Sequence, residues 1–273
     1  MRYFFVLSVF LKSFYSNAQS ITNDFGAKSK GVGNSNTAIA DEWSIFNNAG
    51  GMSALEHVHV FFGYDRYHRL EGFDKVAAGI IHPMKFGNIG IALFRFGDEL
   101  FSESTISMAY GNKIGFVRLG AKVNYYQLRI DEFGTAGAMF FDLGGIVELV
   151  PDLSFGAFIS NFSSAKLSNV ERSELPVVMK IGLSYTPVRK LSVNLDVYKD
   201  VRFMPMIKAG IEYIIAEKLY LRTGVNTNPF QNFFGIGISL DPFNIDYAVS
   251  NHDFLGLSHQ AGISFTYYKK GEK

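Results

Sequence analysis

The chain has 273 residues, no cysteine, 27 glycines, 27 phenylalanines and a formal net charge of +1. This near-neutral balance gives no broad electrostatic attraction to nucleic acid, so we expect no nucleic-acid partner. No run beyond the N-terminus approaches the roughly 20 consecutive apolar residues of a membrane-spanning helix. A soluble domain and a membrane β-barrel both remain open, because a barrel hides its apolar surface in an alternating pattern.

The first residues have the pattern of an export signal. Arg2 precedes the apolar run 3–11, and small residues around Ala18 offer a cleavage site after Ala18 or the next residue. Lys12 interrupts the apolar region, so a buried N-terminal strand is the alternative. We predict a signal peptide over residues 1–18 and, with it, export from the cytoplasm.

The following segment, residues 19–55, is rich in small residues and lacks strand periodicity. Asn47-Asn48 and Gly50-Gly51 are expected to break any helix or strand there. A disordered periplasmic tail is the alternative, but a tail would not need apolar anchors. The apolar anchors are Ile39, Trp43, Ile45, Phe46, Met52 and Leu55.

From about residue 56 the chain falls into apolar–polar alternating runs separated by turn signals. In the run 191–200, Val193 and Leu195 fall on one face, and Asn194 and Asp196 fall on the other. Because successive side chains of a strand face opposite sides, this period predicts strands. The predicted strands are 57–67, 74–83, 87–97, 102–111, 114–130, 134–149, 152–162, 175–187, 190–199, 204–215, 217–227, 231–241, 243–251 and 257–269.

The connections between these runs alternate between tight turns and longer loops such as 163–174 and 251–258. Tight turns predict hairpins and an antiparallel meander, and the alternation is typical of outer-membrane barrels. The first strands alternate less cleanly, and the pattern of 87–97 slips at Phe94. No linker divides residues 56–273, which we predict to form one barrel.

Two features favour a membrane barrel over a soluble one. Small residues on the polar face suit a crowded interior, and aromatic residues near strand ends suit interfacial girdles. We therefore predict an all-β fold, a transmembrane antiparallel up-and-down β-barrel of about 14 strands in a bacterial outer membrane. The polar-face glycines are Gly182, Gly210, Gly224, Gly235, Gly237 and Gly262. The aromatic residues are Tyr185, Tyr198, Tyr213, Phe230, Phe243, Tyr267 and Tyr268.

The segment before the barrel resembles the opening signature of the long-chain fatty-acid channel (FadL) superfamily and of its PorV/PorQ relatives. Those proteins typically open with G-A-R-x-x-G-M-G-x-A-x-x-A-x-A-D and then N-P-A-G-L. Here Asn48 stands where proline is usual, and Gly51-Met52 replaces a single apolar residue. The matching residues are Gly26, Ala27, Lys28, Gly31, Val32, Gly33, Ala38, Ala40, Asp41, Asn47, Asn48, Ala49, Gly50, Gly51 and Met52.

This resemblance implies a barrel in which residues 19–55 fold into the lumen as a hatch. Small residues let a backbone pack closely against an interior wall, and glycine permits the necessary bends. The hatch motif then comprises Gly26, Gly31, Gly33, Asp41, Asn47, Asn48, Ala49 and Gly50.

Charged residues on the polar strand face form a candidate luminal site. They could line a polar passage or form an ion-pair network that stiffens the barrel, and the network is favoured because buried charges need partners. Facing lipid near the bilayer midplane, a lysine or arginine would cost about 2–4 kcal/mol and an acidic residue less. The residues are Lys180, Asp196, Lys208, Glu212, Arg222 and Asp246.

The remaining chemical candidates are weak. His57 and His59 could form a metal pair, but no third ligand can be placed, and Ser258 and His259 are adjacent residues that a strand would point in opposite directions. No nucleophile elbow, phosphate-binding loop, dinucleotide fingerprint or zinc-protease motif occurs. We therefore expect neither an enzyme nor a bound cofactor or metal.

Two functions remain open. The resemblance to PorV/PorQ implies an accessory role in type IX protein secretion, with a translocon or a secreted cargo protein as partner. The resemblance to the fatty-acid channels implies a passive channel that holds a hydrophobic small molecule in its lumen. The short predicted loops favour the secretion role, because a capture groove needs larger loops. In either case, outer-membrane lipid surrounds the barrel.

Overall fold

The computed structural model describes residues 24–66, 72–168, 174–252 and 256–269, which form one closed antiparallel barrel of fourteen strands. Consecutive strands pair with each other, and β1 pairs with β14 to close the ring. The predicted fold class is confirmed, whereas the predicted signal peptide lies outside the described residues. The strands are β1 (Val58–Arg66), β2 (Asp74–Met84), β3 (Gly87–Gly97), β4 (Phe101–Ile114), β5 (Val117–Ile130), β6 (Gly134–Val150), β7 (Leu153–Ser160), β8 (Val178–Val188), β9 (Leu191–Asp200), β10 (Met206–Ile215), β11 (Leu219–Asn226), β12 (Gln231–Leu240), β13 (Phe243–His252) and β14 (Gly256–Tyr267).

The two ends of the barrel differ in their connections. At one end, which we call the turn end, six connections of two or three residues join the strands. The opposite end, the loop end, carries seven connections of three to seventeen residues, of which 161–177 is the longest. Because the chain enters β1 from the turn end, the segment that precedes β1 reaches the barrel from that side.

On β10–β12 the two faces of the wall have opposite polarity, as the alternation predicts. Ile211 and Ile236 point outward with exposed fractions of 43% and 42%, whereas Lys208 and Arg222 point inward and are 5% and 6% exposed. Apolar side chains therefore cover the outside of this part of the wall, and Lys208 and Arg222 are enclosed.

Several sequence predictions need correction. The alternation does not slip at Phe94: this side chain points inward like Ala92, and its partners inside the barrel are apolar. Several predicted strand bounds also differ: β4 extends to Ile114, beyond the predicted 111, whereas β5 begins only at Val117, β7 ends at Ser160, β8 begins at Val178 and β11 covers only Leu219–Asn226.

Residues 24–55, called the N-terminal segment below, contain two short α-helices, α1 (Ala27–Gly31) and α2 (Ser44–Asn47), and the 3₁₀ helix Ala49–Ala54. The expectation that Gly50-Gly51 would break any helix was wrong. The Asn48 side chain accepts a hydrogen bond from Gly50 N at 3.1 Å and thereby caps the 3₁₀ helix. None of the helices in the described ranges is long and apolar enough to cross a membrane.

Candidate functional site

The luminal face of β1–β4 is largely apolar. Its side chains form one buried cluster with residues of the N-terminal segment, and Asp65, Lys75 and Glu103 add charges near the loop end. We call this face, together with the loop end of β5 and β6, the apolar half. The clustered strand residues are Phe61, Ala77, Ile81, Ala92, Phe94 and Ala109.

The apolar half continues to the loop end through aromatic contacts. The ring of Phe96 lies 5.7 Å from that of Phe73 and 6.3 Å from that of Phe101 (ring centres). Phe73, in the β1–β2 connection, is 41% exposed, so the series of rings starts at the surface. Beside Phe101 lies a second buried cluster, under the 161–177 connection. It contains Tyr126, Leu128, Ala136, Ala138, Phe140, Leu167 and Leu175.

The N-terminal segment packs its own aromatic side chains against the apolar half. Phe25 lies 5.9 Å from Phe94, and Trp43 lies 4.8 Å from Phe61 (ring centres). Trp43 is 1% exposed and is the only tryptophan in the chain. Burying aromatic rings supplies a large part of the energy that holds such a segment in place.

The opposite luminal wall, the inward face of β8–β13, carries the charged residues that the sequence singles out, and we call it the charged half. Arg222 on β11 pairs with Glu212 on β10 and, at 2.6 Å, with Asp246 on β13. Gly237 on the intervening strand β12 has no side chain to block the reach from Arg222 to Asp246. These three predicted residues therefore do come together.

Lys180 and Lys208 do not pair with the other predicted charges. Both bind Asp24, the first described residue, with Nζ–Oδ distances of 2.6 Å and 3.4 Å. The Lys180 ammonium also donates to Asn47 O at 2.9 Å. Burial alone would raise the pKa of Asp24, but the two ammonium groups outweigh it and hold this pKa below its usual value.

Asp196, the sixth predicted charge, binds the N-terminal segment and not a lysine. One carboxylate oxygen accepts hydrogen bonds from Asn36 N at 2.9 Å, from Thr37 N at 3.0 Å and from the Thr37 hydroxyl at 2.6 Å. The predicted charges are therefore arranged partly as ion pairs within the wall and partly as anchors for the segment.

Two further ion pairs involve lysines of α1. The Lys30 ammonium lies 2.9 Å from Asp65 and donates to Ser258 Oγ at 2.6 Å. Lys28 lies 3.4 Å from Asp41. Burial disfavours the charged form of both side chains. At Asp41 burial dominates and raises the pKa. At Lys28 burial would lower the pKa, but nearby carboxylates outweigh burial and raise the pKa of this lysine.

The N-terminal segment spans the full width of the lumen. The backbone of Ala49-Gly50 lies against Gly120 on β5, and Gly33 lies against Gly224 on β11, almost opposite in the ring. A Cβ at Gly210 would lie 2.6 Å from the Cβ of Val32, so glycine is required for this close approach. The inward glycines let two backbones meet inside the barrel.

The motif asparagines connect parts of the N-terminal segment. Asn47 donates to Ser29 Oγ at 2.8 Å and accepts from Phe25 N at 3.2 Å. Asn48 donates to Thr37 O at 2.7 Å and, more weakly, to carbonyl groups of β6 and β7. Asn48 therefore supplies an amide donor that the proline usual at this position lacks. Among the other motif residues, Gly26 (φ 119°) and Gly33 (φ 69°) adopt left-handed backbone.

The weaker candidates do not assemble into a site. The ring of His57 lies against Tyr268, whereas the ring of His59 contacts Thr266. Ser258 is buried beside Lys30, whereas His259 contacts the Tyr247 hydroxyl. Within the ranges that the structure describes, no three histidine, aspartate or glutamate side chains are grouped as a metal site.

Sequence reasoning missed the apolar half and the charges that arise outside the cleanly alternating strands. Asp24 and Lys30 lie in a segment without periodicity, and Asp65 lies near the end of β1. Asp142 on β6 pairs with Lys122 at 3.1 Å and lies among buried polar groups. The inward positions of Lys122 and Asp142 could have been found from β-strand parity.

The outer wall carries an apolar cavity of about 740 Å³ across β4–β8. Small residues at Ala121, Gly145 and Ala157 form its floor, and larger apolar side chains such as Leu143 and Ile181 flank it. The 3₁₀ helix lies on the luminal side of the same part of the wall, with Gly50 against Gly145.

No family model matches the chain, and no curated protein matches it either. Solved structures do. A deletion variant of the TodX monoaromatic hydrocarbon channel aligns with a TM-score of 0.69 at 12% identity, over 92% of this chain and 100% of that one. The Pseudomonas putida toluene transporter TodX aligns with a TM-score of 0.64 at 13% identity, over 89% and 97%. A Pseudomonas aeruginosa FadL homologue aligns with a TM-score of 0.59 at 11% identity, over 88% and 97%. The chain therefore has the barrel fold of the FadL-type outer-membrane channels.

Proposed function

We propose that this chain is a passive channel for hydrophobic small molecules in a bacterial outer membrane, with its turn end toward the periplasm. The observation that carries this proposal is the series of aromatic contacts along the apolar half. It runs from the exposed Phe73 through Phe96 to the neighbouring luminal ring of Phe94, which packs on Phe25.

A hydrophobic solute gains little from water and favours apolar surface, so a continuous luminal strip of rings offers it a path. The solved structures with this fold support the same choice, because TodX is described both as a toluene transporter and as a monoaromatic hydrocarbon channel. The exposed apolar outer face supports placement in a membrane.

In this proposal the N-terminal segment acts as a hatch. Its charged contacts with Lys180, Lys208 and Asp196 fix its position on one side. Its apolar contacts on the other side involve the rings that would contact a solute. A solute that replaces the packing of Phe25 or Trp43 therefore competes with the segment for the same surface.

Uptake of radiolabelled toluene tests the proposal. Cells whose outer membrane limits toluene entry would express the chain, Phe96→Ala or Phe233→Ala. Phe233 is the matched control, since it also points inward but lies on β12, on the charged half. We expect the chain to raise uptake above the empty vector and Phe96→Ala to lower that gain severalfold, with Phe233→Ala close to the parent. Toluene uptake equal to that of the empty vector would overturn the proposal. Equal losses of uptake in Phe96→Ala and Phe233→Ala would show that the apolar half is not the path of the solute.

The role in type IX secretion stays a prediction. It would be tested by purifying the tagged chain from detergent-solubilised membranes of its native host. Co-purification of a giant secretion barrel or of a secreted cargo protein would favour that role over the channel.

A further inference from the structure

Three arginines form a patch on the outside of the barrel at its loop end. Arg66, Arg95 and Arg129 are exposed and lie on β1, β3 and β5, at strand positions whose side chains point outward. Arg95 pairs with Val76, which pairs with Tyr64 on β1, and it also pairs with Ser104, which pairs with Gln127 on β5. Arg95 is therefore level with Tyr64 and Gln127 in the register of the barrel. Arg66 and Arg129 each lie two residues further toward the loop end.

These positions place each pair of neighbouring guanidinium groups, Arg66 with Arg95 and Arg95 with Arg129, within reach of one headgroup. Alternate strands are about 10 Å apart, and two residues of strand rise about 7 Å, so neighbouring arginine Cα atoms are about 12 Å apart. Arginine side chains can extend toward each other across that distance, and their planar forks match phosphate oxygens.

The patch is confined to one side of the barrel, at the loop end. Among the described strand residues, Lys199 is the one other outward-pointing cation near the loop end. The remaining strand lysines and arginines point inward or lie at the turn end. On the far side of the barrel, the corresponding outward positions include Val225, Asn232 and Asn251.

The nearest carboxylates have contacts of their own. Asp98 accepts hydrogen bonds from Leu100 N and Phe101 N, both at 2.9 Å. Asp74, which faces Arg66 in the register, interacts with the Tyr64 hydroxyl. Glu99, Asp131 and Glu132 lie in turns beyond the strand ends, so the arginines act as individual phosphate ligands and not as a patch of net positive charge.

The surroundings place the patch at the edge of the apolar belt. The next outward residues toward the barrel centre are Tyr64 on β1 and Leu93 on β3, which are 38% and 53% exposed. On β5, Tyr125 lies four residues before Arg129, also points outward and is 47% exposed. Aromatic residues at this height are typical of the membrane interface, where an outward arginine costs little and can reach headgroups.

We propose that Arg66, Arg95 and Arg129 bind the phosphate groups of an anionic lipid in the outward-facing leaflet. The outward direction of the three guanidinium groups and their position beside an apolar belt fit the phosphate groups of a lipid that lies alongside the barrel. The inference rests on the membrane placement and orientation in the proposed function, but not on hydrocarbon transport.

Native mass spectrometry of the full chain in detergent tests the lipid site. The protein would be titrated with lipid A, a diphosphorylated glycolipid, and separately with phosphatidylcholine, which has no net charge. The test variant is Arg95→Gln with Arg129→Gln, and the matched control is Arg189→Gln with Lys190→Gln, which removes two charges from a turn at the opposite end. Heat-modifiable gel mobility confirms that each variant remains a closed barrel.

We expect the parent chain to prefer lipid A and the Arg95/Arg129 variant to lose about tenfold in lipid A affinity, with the control unchanged. Equal lipid A binding by all three proteins, or no preference over phosphatidylcholine, would overturn the site. Toluene uptake measured on the same variants separates the two proposals, because loss of the lipid site leaves the luminal path intact.

Discussion

The two halves of the luminal wall are built from the same hairpins but present different chemistry to the same segment. On β8–β13, Lys180, Lys208 and Asp196 bind the N-terminal segment through ion pairs and hydrogen bonds of defined direction. On β1–β4, Phe61 and Phe94 contact it through rings that impose little directional constraint. The difference indicates a division of labour: the charged half sets where the segment lies, and the apolar half offers a surface that a hydrophobic molecule can share.

Trp43 makes this comparison measurable. It lies in the N-terminal segment, faces the apolar half and is the only tryptophan in the chain. Its fluorescence therefore reports whether the segment remains docked, independently of whether the barrel stays closed. A docked Trp43 is expected to emit at short wavelength and to resist quenching by iodide.

The largest expected effect comes from Asp24→Asn. The substitution removes the carboxylate that binds both buried ammonium groups, those of Lys180 and Lys208, and breaking such a pair costs about 3–5 kcal/mol. We expect Trp43 emission to shift to longer wavelength and iodide quenching to rise, while gel mobility still indicates a closed barrel.

Asp200→Asn is the matched control for that substitution. This substitution removes the same charge as Asp24→Asn, but the ion-pair partner of Asp200 is Arg202 in the adjoining loop. In the contacts described, neither Asp200 nor Arg202 contacts the N-terminal segment. Unchanged Trp43 fluorescence in Asp24→Asn would show that the charged half does not position the segment.

A smaller effect is expected from Gly210→Ala. The new methyl group would press on Val32 of the segment, and overpacking of this kind costs about 1–3 kcal/mol. Gly137→Ala on β6 is the control, because its nearest neighbour is the hydroxyl of Tyr125, the end of a flexible side chain on the outer face. Chemical denaturation followed by Trp43 emission should separate the two. An equal midpoint for both variants would contradict the close backbone packing in the lumen.

The smallest expected effect is the dependence of docking on pH. Asp24 has a lowered pKa, so its contribution to the stability of the docked state is fully present above the ordinary pKa of 3.8. This contribution is lost as the pH falls through the lowered pKa. Asp41 has a raised pKa, so protonation favours the docked state and acts first on acidification. On acidification, iodide quenching of Trp43 should therefore fall slightly as the pH drops through the raised pKa of Asp41 and rise again as it drops through the lowered pKa of Asp24. Asp24→Asn should lose the acid rise, and an identical rise in that variant would contradict this assignment.

Alternation alone predicts much of the barrel but not its apolar interior. Leu195 and Asp196 reveal their faces because one side is apolar and the other polar. Phe94 points into the lumen between outward Leu93 and Arg95, so hydropathy gives no period there even though the strand geometry is regular. The wall is apolar on both faces where the aromatic rings of the N-terminal segment pack against it.

The partners of the predicted charges were also beyond the sequence pattern. Parity assigns Lys180, Lys208 and Arg222 to the lumen, but it carries no information about which strand or segment they meet across it. Asp24 lies 156 residues from Lys180 in the chain. The reach of Arg222 past β12 further depends on the absence of a side chain at Gly237, which only the assembled barrel reveals.

The central claim, that the apolar half is the solute path, is tested most directly by diffraction from crystals soaked in bromobenzene. The anomalous signal of bromine locates the hydrocarbon without reference to activity. We predict bromine inside the barrel against the rings of Phe94 and Phe96. Bromine confined to the outer wall, or inside the barrel only against the charged half, would contradict the claim.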